Sequence, residues 1–360
     1  MDIYVFDGPS HIIGIISSFK SCIWDVQYNG QDEFNLVVNA TDDNLNLLKP
    51  GNFLARSTDK FLGSFENVMA IQNIVLDFDV DSGWILTVSG KGLKNEILRK
   101  RIIWSQLNYD DDYVWEVIKD VIEKNVEMPD DDDRRIPELF FQKVGQDAIY
   151  TDRISCQLFG DNIAEWMESI CKAYNYGWRC RFNEDNYQMQ LYQGKDRTYS
   201  QNERMPVVFS PEFDNLLSSS YTENINTFKN VALVGGEGEG TNQRTVSVGS
   251  GSGMDRNEVY IDGSSVSSNG EIITPEKYLQ LLSDYGQTQL DQTTDTTNFS
   301  GSIKYDGVYK INEDYSLGDL VQIENQKGMK AVTRITEIIY AEDENGVSVV
   351  PTFSEWEVDN

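Results

Sequence analysis

The feature that most constrains the fold of this 360-residue chain is a pattern that occurs near both of its ends. Residues 49–56 (KPGNFLAR) and 316–323 (SLGDLVQI) each place a turn glycine before an apolar segment with strand character. A hairpin pattern follows each segment, turning at DSG in the first half and at ENG in the second. The comparison predicts a β-barrel unit that occurs twice, with chance recurrence of a hairpin as the alternative.

The first unit is predicted to occupy residues 1–100 as a compact β domain, because short apolar segments alternate with turn residues throughout it. Two short helices interrupt the strand patterns. Thr41 is placed to cap the first helix, over residues 42–48. The second helix begins near Gly92, after which apolar residues recur at helical spacing.

Residues 101–205 are predicted to form an α+β middle domain. A first helix is indicated by apolar residues spaced for one helical face, namely Val114, Val117, Ile118, Val121 and Ile122. Asp161 is predicted to cap a second amphipathic helix, whose apolar side carries Ile163, Trp166, Met167, Ile170 and Cys171. A hairpin then turns at residues 183–186 (NEDN).

Residues 206–360 return to strand patterns and form the second predicted β domain. Two polar segments, 235–253 and 287–298, are too rich in Gly, Ser or Thr for a core, so we predict a mobile loop at 235–253. Between these segments, Thr274 caps a predicted helix that has Pro275 at its first position.

The glycine run at 235–240 (GGEGEG) has some features of a nucleotide-binding loop but lacks the essential ones. A P-loop ends in Gly-Lys-Ser/Thr, and no lysine follows here. A dinucleotide loop leads into a helix, whereas this run leads into the strand-like TNQRTVSV. Glu237 and Glu239 would also repel a phosphate. We therefore predict that the chain binds no cofactor.

Five segments, in order along the chain, resemble those of one protein family. They lie at residues 14–56, 84–104, 215–240, 256–268 and 315–353, and the third reads NLLSSSYTENINTFKNVALVGGEGEG. The series is similar to the tail-hub, or baseplate hub, proteins of tailed bacteriophages and phage-tail-like particles. The resemblance implies an α+β, mainly β fold, in which two tail-tube-like β-barrel domains flank an α+β middle domain.

The resemblance also implies a structural role at the distal end of a tail tube. The expected form is a homotrimer that surrounds a channel and joins the hexameric tube to tip, spike or fibre proteins. Its expected partners are a distal tail or tail-tube protein, a tape-measure protein, and a tip spike or receptor-binding protein. The repeat supports this role independently, because three chains with two similar barrels present six nearly equivalent units around one axis. The expected location is the virion tail or a phage-tail-like particle, assembled in the cytoplasm of the bacterial host.

The chain is strongly acidic, with 59 Asp and Glu against 30 Lys and Arg and a net charge of −29. Nucleic-acid binders need a basic surface, so sequence-specific binding of DNA or RNA is not expected. Two interpretations of the acidity stay open: a solvated surface, or a channel wall along which DNA slides without sticking. The candidates for such a wall lie near the two hairpins and are Asp77, Asp79, Asp81, Glu337, Glu342, Asp343 and Glu344.

The sequence contains no segment that approaches the roughly 20 apolar residues needed to cross a bilayer. Its first residues lack the pattern of a signal peptide, so we expect neither a transmembrane segment nor secretion. The cysteines contain no CxxC pair, so reduced and mostly buried thiols are predicted at Cys22, Cys156, Cys171 and Cys180.

No catalytic or metal-binding residue is predicted. His11 is the single histidine, so any Ser-His-Asp or Cys-His mechanism would depend on it, and it lies beside apolar residues. Asp77, Asp79 and Asp81 alternate as in a calcium loop, but the required glycine and final glutamate are missing. The acidic runs 110–112 and 130–133 are interpreted as solvated faces.

The alternative function is a tail-tip protein that binds carbohydrate or degrades the cell wall. Two carboxylates suffice for glycoside hydrolysis, although a chain with 59 acidic residues contains many such pairs. Five aromatic residues are candidates for a sugar groove or, by the favoured interpretation, for the core: Trp166, Trp178, Tyr174, Tyr176 and Tyr192. The favoured prediction is therefore a scaffold and not an enzyme.

Overall fold

The computed structural model describes residues 1–9, 11–61, 63–81, 83–146, 149–199, 205–268, 273–293, 296–304, 307–328 and 330–357. Within these residues the strands form one thirteen-stranded sheet and three smaller sheets of five, three and two strands. The mainly β, α+β fold class predicted from the sequence is confirmed.

The first hundred residues supply nine strands and two short helices. In chain order the strands are β1 Ile3–Gly8, β2 His11–Ile16, β3 Ser21–Gln27, β4 Glu33–Asn39, β5 Phe53–Arg56, β6 Lys60–Phe61, β7 Ser64–Phe65, β8 Met69–Asp79 and β9 Gly83–Gly92. Helix α1 (Asp42–Leu47) begins as predicted, because the Thr41 hydroxyl accepts a hydrogen bond from the Asn44 N–H at 3.2 Å. Helix α2 (Leu93–Leu98) is buried along its whole length.

The next hundred residues form a compact α+β region. Its strands are β10 Leu107–Tyr113, β11 Leu139–Lys143, β12 Arg153–Leu158, β13 Gly177–Asn183 and β14 Asn186–Tyr192, and its helices are α3 Val114–Ile122 and α4 Ile163–Ala173. The apolar face predicted for α3 is buried. The cap of α4 differs by one residue from the prediction: the Asn162 side chain, not Asp161, accepts from the Ala164 N–H. Either side chain can cap, and the actual helix start decides which one does.

The last part of the chain returns to strands. These are β15 Val208–Phe209, β16 Leu216–Asn224, β17 Val231–Gly235, β18 Thr245–Gly249, β19 Glu258–Asp262, β20 Thr296–Ile303, β21 Leu320–Glu324, β22 Lys330–Asp343 and β23 Gly346–Glu357. Helix α5 (Pro275–Leu290) begins at the predicted cap, where the Thr274 hydroxyl accepts from the Lys277 N–H. Single 3-10 turns occur at Ser57–Asp59, Asp132–Arg134, Pro211–Phe213, Gly240–Asn242, Gly253–Asp255 and Asp291–Thr293, and a π turn at Glu123–Glu127 continues α3.

The large sheet contains the same strand arrangement twice. Its order is β16-β20-β23-β22-β3-β4-β9-β8-β5-β1-β2, and β21 pairs with β22 and β15. The series β3-β4-β9-β8-β5 in the first unit therefore corresponds to β16-β20-β23-β22-β21 in the second. The two glycines of the sequence comparison, Gly51 and Gly318, have nearly equal positive φ angles of 95° and 92°. The structure thus shows the repeated unit, although the strand pairs among the described residues do not close either unit into a barrel.

A single long strand joins the two units. The first part of β22 pairs with β21 of its own unit, and residues 337–343 pair antiparallel with β3 of the first unit. We call this junction between β22 and β3 the seam. The seam makes one continuous sheet from the two ends of the chain, whereas the domain limits 1–100, 101–205 and 206–360 stay a prediction.

The predicted mobile loop at 235–253 contains ordered pairing. Strand β18 pairs antiparallel with β17, and the buried Val248 packs in a cluster with Val234, Tyr278 and Leu282 of α5. The glycine-rich composition did support a small core, because alternation in TVSV places two valines on one face. The second polar segment, 287–298, likewise begins inside α5, where Leu290 is buried.

Candidate functional site

The two faces of the large sheet have different chemistry. Paired residues of an antiparallel sheet lie on the same face, so the register assigns each side chain to one face. The face that packs on the core carries large buried apolar residues, including Trp24, Phe34, Leu36, Leu86, Val88 and Ile338. The cores of the two units cover most of this face, although Phe78 and Trp84 near the turn of the β8–β9 hairpin are exposed on it. The opposite face is open along the whole sheet.

The opposite face is polar and acidic. Over the paired residues of β3, β4, β8, β9, β22 and β23 it carries six acidic side chains, Asp25, Glu33, Asp77, Asp79, Glu337 and Asp343. Two basic side chains lie on the same face. Lys91 forms an ion pair with Glu33, and Arg334, which alternates with the buried Ile335, donates to the Gly318 carbonyl at 2.6 Å. Uncharged polar residues fill much of the remainder, including Ser21, Asn35, Asn73, Thr87, Ser89, Ser348 and Thr352. We call this surface the acidic face.

The structure separates the seven acidic residues named from the sequence. Asp77, Asp79 and Asp343 lie exposed on the acidic face near the hairpin ends. Asp81 and Glu344 are exposed in the turns themselves.

The other two residues of the set have internal partners. Glu337 accepts a hydrogen bond from the Thr352 hydroxyl at 2.5 Å. Glu342 lies on the core face and forms a 3.0 Å ion pair with the amino group of Met1. The ion pair offsets the charge of Glu342, and the charge of Glu337 is directed toward neighbouring hydrogen-bond donors, so these two carboxylates are less suited to repel a passing polyanion.

A pair of carboxyl groups lies at the seam. Gln27 donates through its amide to Asp25 at 3.3 Å and to Glu337 at 3.2 Å, which holds the two acids together. Burial, and after it the negative charge of Glu337, raise the pKa of Asp25 to about 7. The pair therefore holds a proton near neutral pH, which limits the charge repulsion across the seam.

The core side of the seam is held by a buried ion pair. The Arg56 guanidinium donates to both carboxylate oxygens of Asp59 at 2.8 Å and lies 3.7 Å from the centre of the Tyr340 ring. Both charged side chains are buried. Since Tyr340 belongs to the second unit and Arg56 to the first, this stack connects the units through their cores.

The residues considered for catalysis are not brought together. His11 is exposed at the start of β2 and pairs with Asp7. Cys22, Cys171 and Cys180 are buried, and burial raises the pKa of each thiol. Cys156 is partly buried and its pKa is raised for the same reason. Raised thiol pKa values oppose nucleophilic chemistry, because the thiolate is the reactive form.

The acidic runs considered for metal binding contact basic side chains or solvent. Asp110 pairs with Lys277 of α5, and Asp111 pairs with Arg153 at 3.2 Å. Residues 130–133 form an exposed turn. Among the residues that the structure describes, no group of three or more His, Cys, Asp or Glu side chains is arranged to hold a metal ion.

The aromatic residues considered for a sugar groove belong to the core. Trp178 and Tyr176 are fully buried, and Trp166 and Tyr174 pack against the same cluster. Tyr192 meets the Tyr28 ring edge to face at 5.3 Å. The favoured core interpretation is therefore correct for these five side chains.

Similarity to solved structures gives the class of protein that the fold defines. The tail protein from Neisseria meningitidis MC58 has a TM-score of 0.56 at 12% identity, over 98% of this chain and 96% of that chain. The 43 kDa tail protein of prophage MuSo2 from Shewanella oneidensis has a TM-score of 0.54 at 12% identity, over 98% of each chain. Prophage tail protein gp18 from Listeria monocytogenes EGD-e has a TM-score of 0.52 at 11% identity, over 100% and 96%. The fold is that of phage tail proteins.

The sequence comparison gives the family. The chain belongs to the family described as Siphovirus ReqiPepy6 Gp37-like protein, which it matches over residues 2–353. The resemblance to phage tail proteins found in the sequence is thereby confirmed. No curated protein matches the chain significantly. In the described part of the chain, the helices are too short or too polar to cross a membrane.

Proposed function

We propose that the chain is a non-enzymatic hub protein at the distal end of a phage or phage-like tail. Three copies form a ring around the channel, and the ring joins the hexameric tail tube to tip, spike or fibre proteins. The observation that carries the proposal is the repeated strand arrangement within one continuous sheet. Two matching units side by side give a trimer six similar units around one axis, while the ring as a whole keeps three-fold symmetry.

The acidic face supports the position of the channel. A wall that contacts DNA through basic groups would hold it at many phosphates, because a duplex carries about one charge per 1.7 Å of axis. The described strands instead present six acidic groups and two basic groups on the face opposite the core. We assign this face to the channel, where it repels DNA and allows passage without sequence-specific binding.

The proposed neighbours follow from the symmetry. The six similar units of the ring fit a hexameric distal tail or tail-tube protein on one side of the ring. The three-fold symmetry of the ring as a whole fits a tip spike or receptor-binding protein on the other side. The tape-measure protein would occupy the channel before ejection. Assembly would take place in the cytoplasm of the bacterial host, before the particle is released.

The mass of the protein in solution tests the proposal. Light scattering over a rising concentration series, alone and with the tail-tube protein, is expected to show a trimer under at least one condition. A chain that stays monomeric in both series, or forms a stable dimer, contradicts the hub. Release of sugars from purified cell walls would instead support the wall-degrading alternative.

A further inference from the structure

Strand β16 and part of β8 have a backbone edge that no described strand covers, as do β2 at the other end of the sheet and β15. Strand β16 ends the sheet and pairs through one edge with β20. Strand β8 pairs with β9 along its length, but its other edge is covered only from Met69 to Ile71, by β5 and the two residues before it. Uncovered edges of this length are sites where another chain can add a strand.

The seam is an example, within one chain, of an edge strand of one unit that pairs with a long strand of the other unit. In the first unit, β3 pairs across the seam with residues 337–343 of β22, so that Ser21 lies opposite Asp343 and Asp25 opposite Ile339. The counterpart of β3 in the second unit is β16, and the counterpart of β22 in the first unit is β8. Within one chain the corresponding contact between β16 and β8 is absent from the described strand pairs.

The register of the hairpins sets the correspondence residue by residue. The last pair before the turn of the first hairpin is Asp79 with Gly83, and in the second hairpin it is Asp343 with Gly346. Asp79 therefore corresponds to Asp343. In the first unit, the register from β8 through β9 and β4 leads to Ser21 of β3. In the second unit, the same steps from β22 through β23 and β20 lead to Ser218 of β16, so Ser218 corresponds to Ser21.

We propose that β16 of one copy pairs antiparallel with β8 of the next copy, with Ser218 opposite Asp79, Ser220 opposite Asp77 and Thr222 opposite Val75. This inference rests on the proposed hub function, which supplies the number of copies. The contact joins different edges of the two copies, so it is heterologous and generates a closed ring when the rotation returns to the start. In a trimer, three such contacts alternate with the three seams inside the chains.

Exposed apolar side chains lie at matching ends of the two edges. On the β8–β9 hairpin, Phe78 is 59% exposed and Trp84 is 55% exposed, with ring centres 5.1 Å apart. At the start of β16, Leu217 is 59% exposed and Phe213 is 55% exposed. Because Ser218 is placed opposite Asp79, the proposed register brings Leu217 to the end of the hairpin that carries Phe78 and Trp84. Burial of these groups gives the contact a driving force that a polar edge would lack.

The charges on the two edges are compatible with the same register. Asp77 and Asp79 of β8 face the serines Ser220 and Ser218 of the neighbouring copy. Glu223 falls opposite Ile74, so no two carboxylates are placed directly opposite each other. Like charges on opposite residues destabilise a sheet. A chain with a net charge of −29 therefore needs a register that keeps carboxylates from facing each other.

Paired cysteines test the register. The variant with V75C and T222C places two thiols within the Cα separation that a disulfide spans, because opposite residues in an antiparallel pair are about 4.5–5.5 Å apart. Mild oxidation of the full-length protein at the concentration where light scattering shows the trimer is expected to give covalent trimer as the main product. The matched control with V75C and S218C keeps both thiols on the same face but four residues out of register, and it is expected to stay uncross-linked.

The outcomes separate this inference from the hub function. Covalent trimer in the first variant but not in the control supports the register. If the first variant forms native trimers that resist cross-linking, the interface is wrong while the hub function stands. If wild type and variant are both monomeric at every concentration and with the tail-tube protein, both proposals fail. An F78K variant adds a second measurement: loss of the trimer is expected, whereas F140K, at an exposed residue on β11, should retain it.

Discussion

Tyr340 of β22 lies directly opposite Trp24 of β3, at the seam where the two ends of the chain share a sheet. The residues are more than 300 positions apart in the sequence. Their pairing fixes the angle between the two units, because a β ladder of seven residue pairs leaves little freedom to rotate. The chain therefore presents its repeated units as one rigid wall.

Removal of Arg56 is expected to weaken the seam strongly. The R56A variant leaves Asp59 buried without its partner and removes the stack on Tyr340, so we expect a loss of about 3–5 kcal/mol in the free energy of unfolding. Urea unfolding followed by tryptophan fluorescence measures this loss. The matched control is R256A, since Arg256 pairs with Glu258 at the surface and such pairs contribute at most about 1 kcal/mol. Equal effects of the two variants would contradict the buried role of Arg56.

Asp25 is expected to make stability depend on pH. Its folded-state pKa is raised from 3.8 to about 7, mainly by burial and then by Glu337. The folded protein therefore holds a proton that the unfolded chain has released, and the associated stability is complete below pH 3.8 and lost as the pH rises to about 7. Asp32 adds negative charge nearby, and Gln27 is the hydrogen-bond donor that opposes the shift.

The D25N variant tests this dependence. It should remove the fall in stability between pH 3.8 and about 7 while keeping a neutral polar group at the seam. Thermal unfolding across this range measures the effect, with D132N, in the exposed turn Asp132–Arg134, as the comparison in the same buffer series. An unchanged pH profile in D25N would show that the proton resides elsewhere.

Gly286 is expected to resist replacement by alanine. Alanine is favoured over glycine in a helix by roughly 1 kcal/mol. At this position, however, an added Cβ would lie 2.2 Å from the Val234 Cγ2 of the underlying strand, so α5 must shift. We expect G286A to destabilise the unit formed by β17, β18, β19 and α5, as measured by hydrogen exchange of β17. The control L279A changes an exposed residue of the same helix and should alter exchange little. Greater protection in G286A would contradict the packing.

The acidic face is expected to speed DNA ejection. Changing Asp77, Asp79 and Asp343 to lysine should slow ejection, because the new charges attract phosphates within the proposed channel. Tail assembly should stay normal, because lysine opposite the serines of the neighbouring copy creates no like-charge pair. The effect should shrink as salt rises, since screening acts over roughly 8 Å at physiological ionic strength. The matched control changes Asp131, Asp132 and Asp133 to lysine on an exposed turn outside the sheet. If both sets of substitutions change the ejection rate equally, the acidic face has no special role and its charge acts only as part of the general protein surface.

Local signals made several elements predictable from the sequence. The hydroxyls of Thr41 and Thr274 cap their helices as expected, and the apolar spacing of α3 is the face that is buried. Capping and periodicity act over four residues, so they can be recognised without knowledge of the tertiary structure. The glycine-rich segment misled for the same reason: its composition is local, whereas the burial of Val248 depends on α5, which follows more than 25 residues later.

The sequence by itself determined the repeated unit, because Gly51 and Gly318 mark the same turn before the same order of strands. It also determined the acidity and the likeness to phage tail proteins. Only the tertiary structure decided how the units join, which acids lie on one face, and which strand edges stay open. These properties depend on pairs such as Glu337 with Gln27, between residues 310 positions apart. Their register follows from the packing of both cores together, and no segment of the sequence contains that information alone.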